Sequence, residues 1–279
     1  MEMSIRMIAG HFTPDERAFE RNTVTHLQAF SKVIDVTRFI NVNHWDIDKI
    51  LALYNEVLWN NPDIFYVSKR QISIRFTRKP DGSILHAKLC GILYLFSQDE
   101  YQQNKIRFDA EVKKAIAYAG KETAPERIAQ RLHDYLIWTC EYDNAAPKDK
   151  NLSLQARSAY SVLVRKRAVC EGYTTAYRYL LQKFGIPCEE IVSRDLLHCW
   201  NYVKIGIHWY HVDVTFDNPV FVDETGRRST QPDEPAIDPR KISHKFFLRS
   251  DAAFPDHKSW TTKGLPSATD NSFDNRVWA

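Results

Sequence analysis

The sequence predicts an α+β protein. Segments in which apolar residues recur with helical spacing share the chain with segments in which every second residue is apolar. Two helical segments come first, and a β-hairpin pattern follows them. Further helical segments occupy the middle of the chain, and three strand-like segments follow a helix that begins at residue 170. Helices and antiparallel strands together therefore define the expected fold class.

The region 1–120 is predicted to form an N-terminal unit of helices and a β-hairpin. Thr13 followed by Pro14 is typical of a helix start, because threonine caps the first N–H groups and proline needs no donor there. A second helical pattern ends at Asn-Asn-Pro, and the residues after it alternate with a period of two around a KPDGS turn. We place a domain boundary near residue 120, where Gly-Lys interrupts a helical segment.

The region 121–279 carries the segments of greatest chemical interest. One helical segment ends in TCEYD, and a short helical segment, ARSAYSVLVRKR, follows it. Cys170 begins a third helical segment, which is amphipathic. Three strand-like segments come next: CEEIVSR, HCWNYVKIG and HWYHVDVTFD. The last two are predicted to form a hairpin that turns at Gly206.

The composition is that of an ordinary globular protein and argues against several classes of function. A net charge of +3 on 279 residues gives no reason to propose a nucleic acid or a membrane as partner. The sequence shows neither a signal peptide nor an apolar run that could span a membrane, so we expect a cytoplasmic protein. Five scattered cysteines without a CxxC pair argue against a disulfide framework and a structural zinc site. No metal or cofactor is predicted, and the oligomeric state stays open.

Cys170 stands where its thiol would be acidic. It begins a helix, and the unpaired N–H groups and partial positive charge there stabilise a thiolate. His198 begins a strand and Asp213 lies in the next one, so a hairpin turning at Gly206 would place the two side chains opposite each other. An acid among valines destabilises the fold unless it is paired. A nucleophile, a base and an acid that orients the base are the groups that thiol acyl transfer requires.

These segments resemble the three motif blocks of the transglutaminase-like superfamily, whose members have a papain-related Cys-His-Asp fold. AVCEGYTTAYRYLLQKFGIPCEEI, HCWNYVKI and WYHVDVTFD carry the resemblance, and LHDYLIWTCEYD, SAYSVLV and FFLRSD extend it over roughly Ile128 to Asp251. It implies a papain-like core, in which the helix bearing the nucleophile packs on an antiparallel sheet, over the region 121–279. It also implies that Cys170 is the nucleophile, His198 the general base and acid, and Asp213 the orienting acid.

Two positions depart from the family pattern, and four further residues are candidates for the cleft. The family usually has glycine at Ala168 and tryptophan at Phe216, which are changes of packing rather than of the triad. The backbone N–H of Cys170 is a natural oxyanion donor. The other candidates are Gln155 or Tyr160 as a second oxyanion donor, and Trp200 and Tyr142 as residues that shape the cleft.

The remaining cysteines and histidines near these motifs are interpreted as structural. We expect Cys188 and Cys199 in the core, with Cys199 on the sheet face opposite His198. His208 and His211 lie near the predicted hairpin turn and are expected at the surface.

The predicted function is acyl transfer from peptide or glutamine-type amides through a thioester on Cys170. Hydrolysis, as in a protease or amidase, is favoured over crosslinking, as in a transglutaminase, and the predicted partner is a peptide or protein substrate. The alternative is a non-catalytic module of the same fold that binds a peptide or a protein. Retention of Cys170, His198 and Asp213 together favours the enzyme.

Overall fold

The computed structural model describes residues 12–146, 150–218, 242–254, 256–257, 259–260 and 264–278, without the side chains of residues 150–152. The chain divides into two compact units, Met1–Asn104 and Lys105–Ala279. The division lies inside helix α4, Gln98–Ala119, whereas the boundary predicted near residue 120 coincides with the end of that helix. The residues on which the predicted absence of a signal peptide depends lie mostly outside the described ranges. Within those ranges, no helix is both long and apolar enough to cross a bilayer.

The first unit combines helices with a small antiparallel sheet. Its elements are α1 (Pro14–Gln28), β1 (Ile34–Asp35), α2 (Thr37–Asn43), α3 (Ile47–Asn60), β2 (Ser73–Arg78) and β3 (Ile84–Cys90). The strands pair in the order β1-β3-β2. At the start of α1, the Thr13 hydroxyl accepts from the Glu16 N–H while the Glu16 carboxylate accepts from the Thr13 N–H, which forms a capping box. The KPDGS sequence forms the turn between β2 and β3, with Gly82 at φ +85°.

The second unit contains the segments that carry the predicted site. After α4 come α5 (Pro125–Thr139), β4 (Glu141–Tyr142), α6 (Lys150–Gln155), a π-helical turn (Ser161–Arg165), β5 (Arg167–Ala168), α7 (Cys170–Gln182), β6 (Cys188–Ser193), β7 (His198–Ile205), β8 (His208–Val212) and α8 (Val214–Asp217). Strands β4 and β5 form a parallel pair, and β6, β7 and β8 form an antiparallel sheet in chain order.

Helix α7 packs on the β6-β7-β8 sheet. The Asn201 side chain on β7 donates to the carbonyl of Thr174 on α7 at 2.9 Å. From the same helix, the fully buried Arg178 donates through Nε to the carbonyl of Cys188 at 2.8 Å. The predicted α+β core, with the Cys170 helix on an antiparallel sheet, is therefore confirmed.

The other face of this sheet is covered by irregular chain from the described residues after 242. Trp200, Tyr202 and Trp209 cluster with Phe246 and Phe254 in a buried aromatic core. Backbone hydrogen bonds of 2.8 and 2.9 Å join His211 on β8 to Arg249 in the FFLRSD stretch. Because both sheet faces are covered, the side chains of β8 after the exposed His208 are buried on both sides.

The hairpin differs from the prediction at its second strand. Strand β8 ends at Val212, which pairs with Asn201, so the ladder stops before it reaches His198. Asp213 is the N-cap of the short helix α8, and its carboxylate accepts from the N–H groups of the first turn. The expectation that Asp213 lies inside a strand directly opposite His198 is therefore wrong, although the two side chains still meet.

Candidate active site

A close backbone contact sets the position of Cys170. In the sequence CEGY, Gly172 lies so near the preceding chain that a Cβ there would be 2.7 Å from the Ala156 carbonyl oxygen and 2.9 Å from the Ala168 Cβ. Only glycine allows this approach. The Val169 N–H donates to the same Ala156 carbonyl at 3.1 Å, so the residue before Cys170 is fixed as well. Cys170 consequently begins α7 with its side chain half-buried.

His198 and Asp213 form a short, buried hydrogen bond. His198 Nε2–H donates to Asp213 Oδ2 at 2.6 Å, and both side chains are buried. This bond occupies Nε2 and leaves Nδ1 as the ring nitrogen available to the Cys170 sulfur, with which His198 is also hydrogen-bonded. The ring of Phe216, itself 44% exposed, stacks on the imidazole at 4.6 Å and covers it from the solvent side.

The charges of this pair are stabilised by each other. Burial alone would raise the pKa of Asp213, but hydrogen bonds from His198, His257 and the Phe216 N–H lower it to about 2. Burial alone would lower the pKa of His198, but the bond to Asp213 and the contact with Cys170 raise it to about 10. The imidazole is therefore held as a cation at neutral pH.

The thiol of Cys170 is acidic for two reasons. A hydrogen bond from the Cys199 thiol is the largest cause that lowers its pKa, and contact with His198 overcomes the opposing effect of burial, giving a pKa of about 5. The pKa of Cys199 is raised well above its ordinary value, because its hydrogen bond to Cys170 and its burial both favour the protonated thiol. Cys199 is buried as expected, but its contact with Cys170 was not predicted.

His257 is a member of the site that sequence reasoning missed. It donates from Nε2 to Asp213 Oδ2 at 2.9 Å and is 2% exposed. It belongs to the irregular C-terminal chain, 44 residues after Asp213, where no helical or strand pattern predicts its position. We call Cys170, His198, Asp213 and His257 the triad cluster.

Two expectations about side chains of the sheet are wrong. Trp200 does not line an open cleft: it is 1% exposed, and its Nε1–H donates to His211 Nδ1 at 2.9 Å. It still neighbours His198, whose ring lies 6.0 Å away, and supports it from the core side. His211 is fully buried rather than at the surface, and its Nε2 bonds Asp251 at 2.8 Å. Both differences arise because residues 242–278 cover this face of the sheet.

Comparison with known proteins agrees with this core. Residues 113–214 match the family model of the transglutaminase-like superfamily. The region 113–214 of this chain is therefore similar to the transglutaminase-like superfamily. Kyphoscoliosis peptidase of Homo sapiens is 23% identical over 225 residues, which are 72% of this chain and 33% of that protein. The Mus musculus protein of the same name is 22% identical over 202 residues, or 62% of this chain and 28% of its own.

The transglutaminase-like chain thus spans about a third of the length of the curated relatives that it matches. Among solved structures, one described as a crystal structure of a TGase has a TM-score of 0.36 and 18% identity. That match covers 58% of this chain and 47% of the other.

The remaining candidates of this transglutaminase-like domain lie around the entry to α7. Tyr142 on β4 packs against the buried cluster that contains Val169, the residue before Cys170, and its role in shaping the cleft stays a prediction. The Gln155 side-chain oxygen accepts from Arg165. Tyr160 is buried beside Arg107, and burial raises its pKa. The contacts described for Gln155 and Tyr160 are thus with arginines, and their role as a second oxyanion donor stays a prediction.

A second group of buried histidines and aspartates lies elsewhere in the transglutaminase-like unit. His133 bonds Asp134 at 2.9 Å, His244 bonds the same Asp134 oxygen at 2.7 Å, and His133 Nε2 lies 3.3 Å from Asp217 Oδ2. We call these four residues the anchor cluster, because they join α5 and α8 to the segment after residue 242. By residue type, His133, Asp134 and His244 of this cluster could hold a metal ion, and so could the group His198, Asp213 and His257. In both, the N···O distances of 2.6 to 2.9 Å are those of hydrogen bonds.

Proposed function

We propose that this chain is a cysteine-dependent acyl-transfer enzyme with Cys170 as nucleophile, His198 as general acid and base, and Asp213 as the acid that orients His198. The observation that carries the proposal is the acidic thiol, with a pKa of about 5, in contact with an imidazole that donates to Asp213 at 2.6 Å. The match of residues 113–214 to the family model of the transglutaminase-like superfamily supports it.

The proposed reaction begins with the thiolate–imidazolium pair. The Cys170 sulfur attacks the carbonyl carbon of an amide, and the electron pair of the C=O bond moves to the oxygen, where the Cys170 N–H at the start of α7 stabilises the charge. The tetrahedral intermediate collapses, the C–N bond breaks, and His198 gives its proton to the departing amine. A thioester on Cys170 remains, while Asp213 keeps the neutral imidazole in place.

An acceptor then completes the cycle. Neutral His198 removes a proton from the acceptor as it attacks the thioester, and the thiolate leaves with the imidazolium restored. Water as acceptor releases a carboxylic acid, and an amine as acceptor forms a new amide. We favour water, since the curated relatives bear the name peptidase. The substrate is proposed to be a peptide or protein, and no cofactor enters any of these steps.

The first experiment measures the alkylation of Cys170 by iodoacetamide as a function of pH. The other cysteines are buried, so labelling reports this thiol, and Cys170→Ala provides the blank. At pH 6 we expect alkylation about tenfold faster than that of an ordinary thiol, because the larger thiolate fraction outweighs the lower nucleophilicity of an acidic thiol. A rate equal to that of an ordinary thiol at pH 6 would contradict an activated nucleophile.

The second experiment separates the reactions. Peptide cleavage, release of ammonia from glutamine amides, and incorporation of a fluorescent primary amine are measured for the unchanged protein and for Cys170→Ala. Mass spectrometry of the quenched reaction detects the acyl group on Cys170. Cleavage that disappears in the variant supports hydrolysis, and amine incorporation without cleavage supports crosslinking. Peptide binding that survives in Cys170→Ala, with no turnover in either protein, supports a non-catalytic binding module instead.

A further inference from the structure

His257 makes a hydrogen bond that the three-residue mechanism does not require. Its Nε2–H donates at 2.9 Å to Asp213 Oδ2, the oxygen that also accepts from His198 at 2.6 Å. The other oxygen, Oδ1, accepts from the N–H groups of Thr215 and Phe216 at 2.9 and 3.0 Å. Four donors therefore surround the buried carboxylate, which matches the number of hydrogen bonds that it accepts.

Aromatic packing fixes the orientation of this second imidazole. The His257 ring stacks on Phe254 with a centroid distance of 3.8 Å and an interplanar angle of 24°. Trp200 contacts it edge-on at 4.7 Å, and Phe216 lies 4.8 Å away, against both His257 and His198. Because these rings surround it, His257 can turn away from Asp213 only if its neighbours also move.

The ring acts as a neutral donor. Nδ1 of His257 is buried and has no hydrogen-bond partner among the described residues. Protonation of Nδ1 would bury an N–H without an acceptor there, which is unfavourable. A single proton on Nε2, directed at Asp213, satisfies the geometry.

Few charged or titratable groups face this ring from the surrounding elements. They are Asp213 at the start of α8, His198 on β7 at 6.0 Å between ring centroids, His211 on β8, and the neighbouring Asp256. Of these, Asp213 alone is joined to the ring by a hydrogen bond in the described structure.

We propose that His257 is a positioning residue of the triad: its bond to Asp213 Oδ2 holds that carboxylate and takes part of the negative charge that would otherwise act on His198 alone. The inference rests on the proposed function, since it matters only if His198 exchanges protons during a reaction. Two donors on one oxygen weaken each other, so removal of one strengthens the other. Without His257 the bond from His198 tightens and the imidazolium becomes a poorer acid, further from the pKa that suits proton transfer at neutral pH.

The test compares His257→Phe with His257→Gln. Phenylalanine keeps the aromatic packing and removes the donor, whereas glutamine loses the aromatic ring and keeps an N–H that can reach Asp213. The readout is the pH profile of Cys170 alkylation by iodoacetamide, in which the thiol and His198 titrate as two macroscopic steps. Thermal unfolding by circular dichroism verifies that both variants are folded.

We expect the upper step, which reports His198, to move to higher pH by about one unit in His257→Phe, as for loss of one hydrogen bond to a charged group. His257→Gln should keep the profile of the unchanged protein. An unchanged profile in His257→Phe, or equal shifts in both variants, would make the ring a packing element and overturn the proposal.

Measurements on the unchanged protein keep the inference testable if a variant does not fold. Nitrogen-15 shifts of the imidazole should identify a neutral His257 ring with its proton on Nε2, and a proton on Nδ1 would overturn the proposal. Stoichiometric zinc in the purified protein, lost in His257→Phe, would make the ring a metal ligand instead and would also overturn it. An ordinary reactivity of Cys170 at pH 6 would refute the proposed function, while the tautomer would still decide whether the hydrogen bond exists.

Discussion

The triad cluster and the anchor cluster contain the same kinds of residue, but they contact different partners. In each, imidazole rings bond a buried aspartate, and in each a histidine has a raised pKa. For His133, burial lowers the pKa, but bonds to Asp134 and Asp217 outweigh it and bring the value to about 9. In the triad cluster, His198 reaches the half-buried thiol of Cys170. In the anchor cluster, His244 and Ser243 tie the aspartates to the C-terminal chain.

This difference shows what a perturbed pKa can and cannot identify. A buried ion pair raises the pKa of a histidine whether or not it takes part in a reaction. What distinguishes the triad cluster is the half-buried thiol of Cys170 at the start of a helix. What distinguishes the anchor cluster is that its donors and acceptors join three segments of chain. We therefore expect changes in the first cluster to affect reactivity, and changes in the second to affect stability.

The largest expected contrast is between Asp213→Asn and Asp217→Asn. Asparagine at 213 still caps α8, but His198 loses its buried anionic partner, so the free energy of unfolding should fall by about 3 kcal/mol and turnover should also fall by about 10³–10⁴-fold. Asparagine at 217 breaks a fully buried pairing with His133, so the free energy of unfolding should fall by about 3 kcal/mol with turnover nearly unchanged. Urea unfolding and initial rates measure the two effects. Equal losses of turnover in both variants would show that the clusters are not functionally separate.

A smaller effect is the pH dependence of the anchor cluster. The pKa of His133 is raised from about 6.5 in an unfolded chain to about 9, so its stabilising contribution is fully present below pH 6.5 and is lost as the pH rises to 9. We expect His133→Gln to lower the free energy of unfolding by about 3 kcal/mol at pH 6 and by much less at pH 9.5. Urea unfolding at both values measures the difference. A loss independent of pH would mean that His133 contributes by packing rather than by its charge.

The smallest expected effect is that of replacing Cys199. It measures how much this residue contributes to the acidity of Cys170 in the triad cluster. The Cys199 thiol donates to the Cys170 sulfur, so Cys199→Ala should raise the pKa of Cys170 by about one unit. Cys199→Ser keeps a donor and should shift it less. The pKa is read from the acid limb of the iodoacetamide profile, with Cys188→Ala as the control for loss of a nearby buried thiol. If Cys199→Ala matches the unchanged protein, helix α7 and His198 alone account for the acidity.

Much of the fold and the core of the site could be predicted from local sequence. Cys170 follows from the start of an amphipathic helix, and the strand patterns on either side of Gly206 bring His198 near Asp213. The motif blocks that resemble the transglutaminase-like superfamily lie in the same segments, and they contain Cys170, His198 and Asp213 in that order. The helix-on-sheet core follows from those blocks too, because each element has a pattern of its own.

The features that were not predicted depend on a segment that has neither a helical nor a strand pattern. His257 and the burial of His211 and Trp200 follow from the path of residues 242–278, where neither helical nor strand spacing indicates which face of the sheet is covered. The register of β8 was missed because the turn consists of Gly206 and Ile207, with Ile205 paired to His208, which shifts the pairing from the expected one. Asp213 was also taken as a strand residue, although an aspartate two positions before a Thr-Phe-Asp sequence suits a helix cap.

Gly172 has a consequence for experiments that seek the determinants of this site. The approach of α7 to Ala156 and Ala168 leaves no room for a methyl group, so the backbone that carries Cys170 is positioned by close packing at a residue without a side chain. Alanine scanning that concentrates on charged and polar residues would overlook this position. A designer who transfers the thiol, imidazole and carboxylate to another scaffold must therefore also reproduce the close approach of α7 to Ala156 and Ala168 that Gly172 allows.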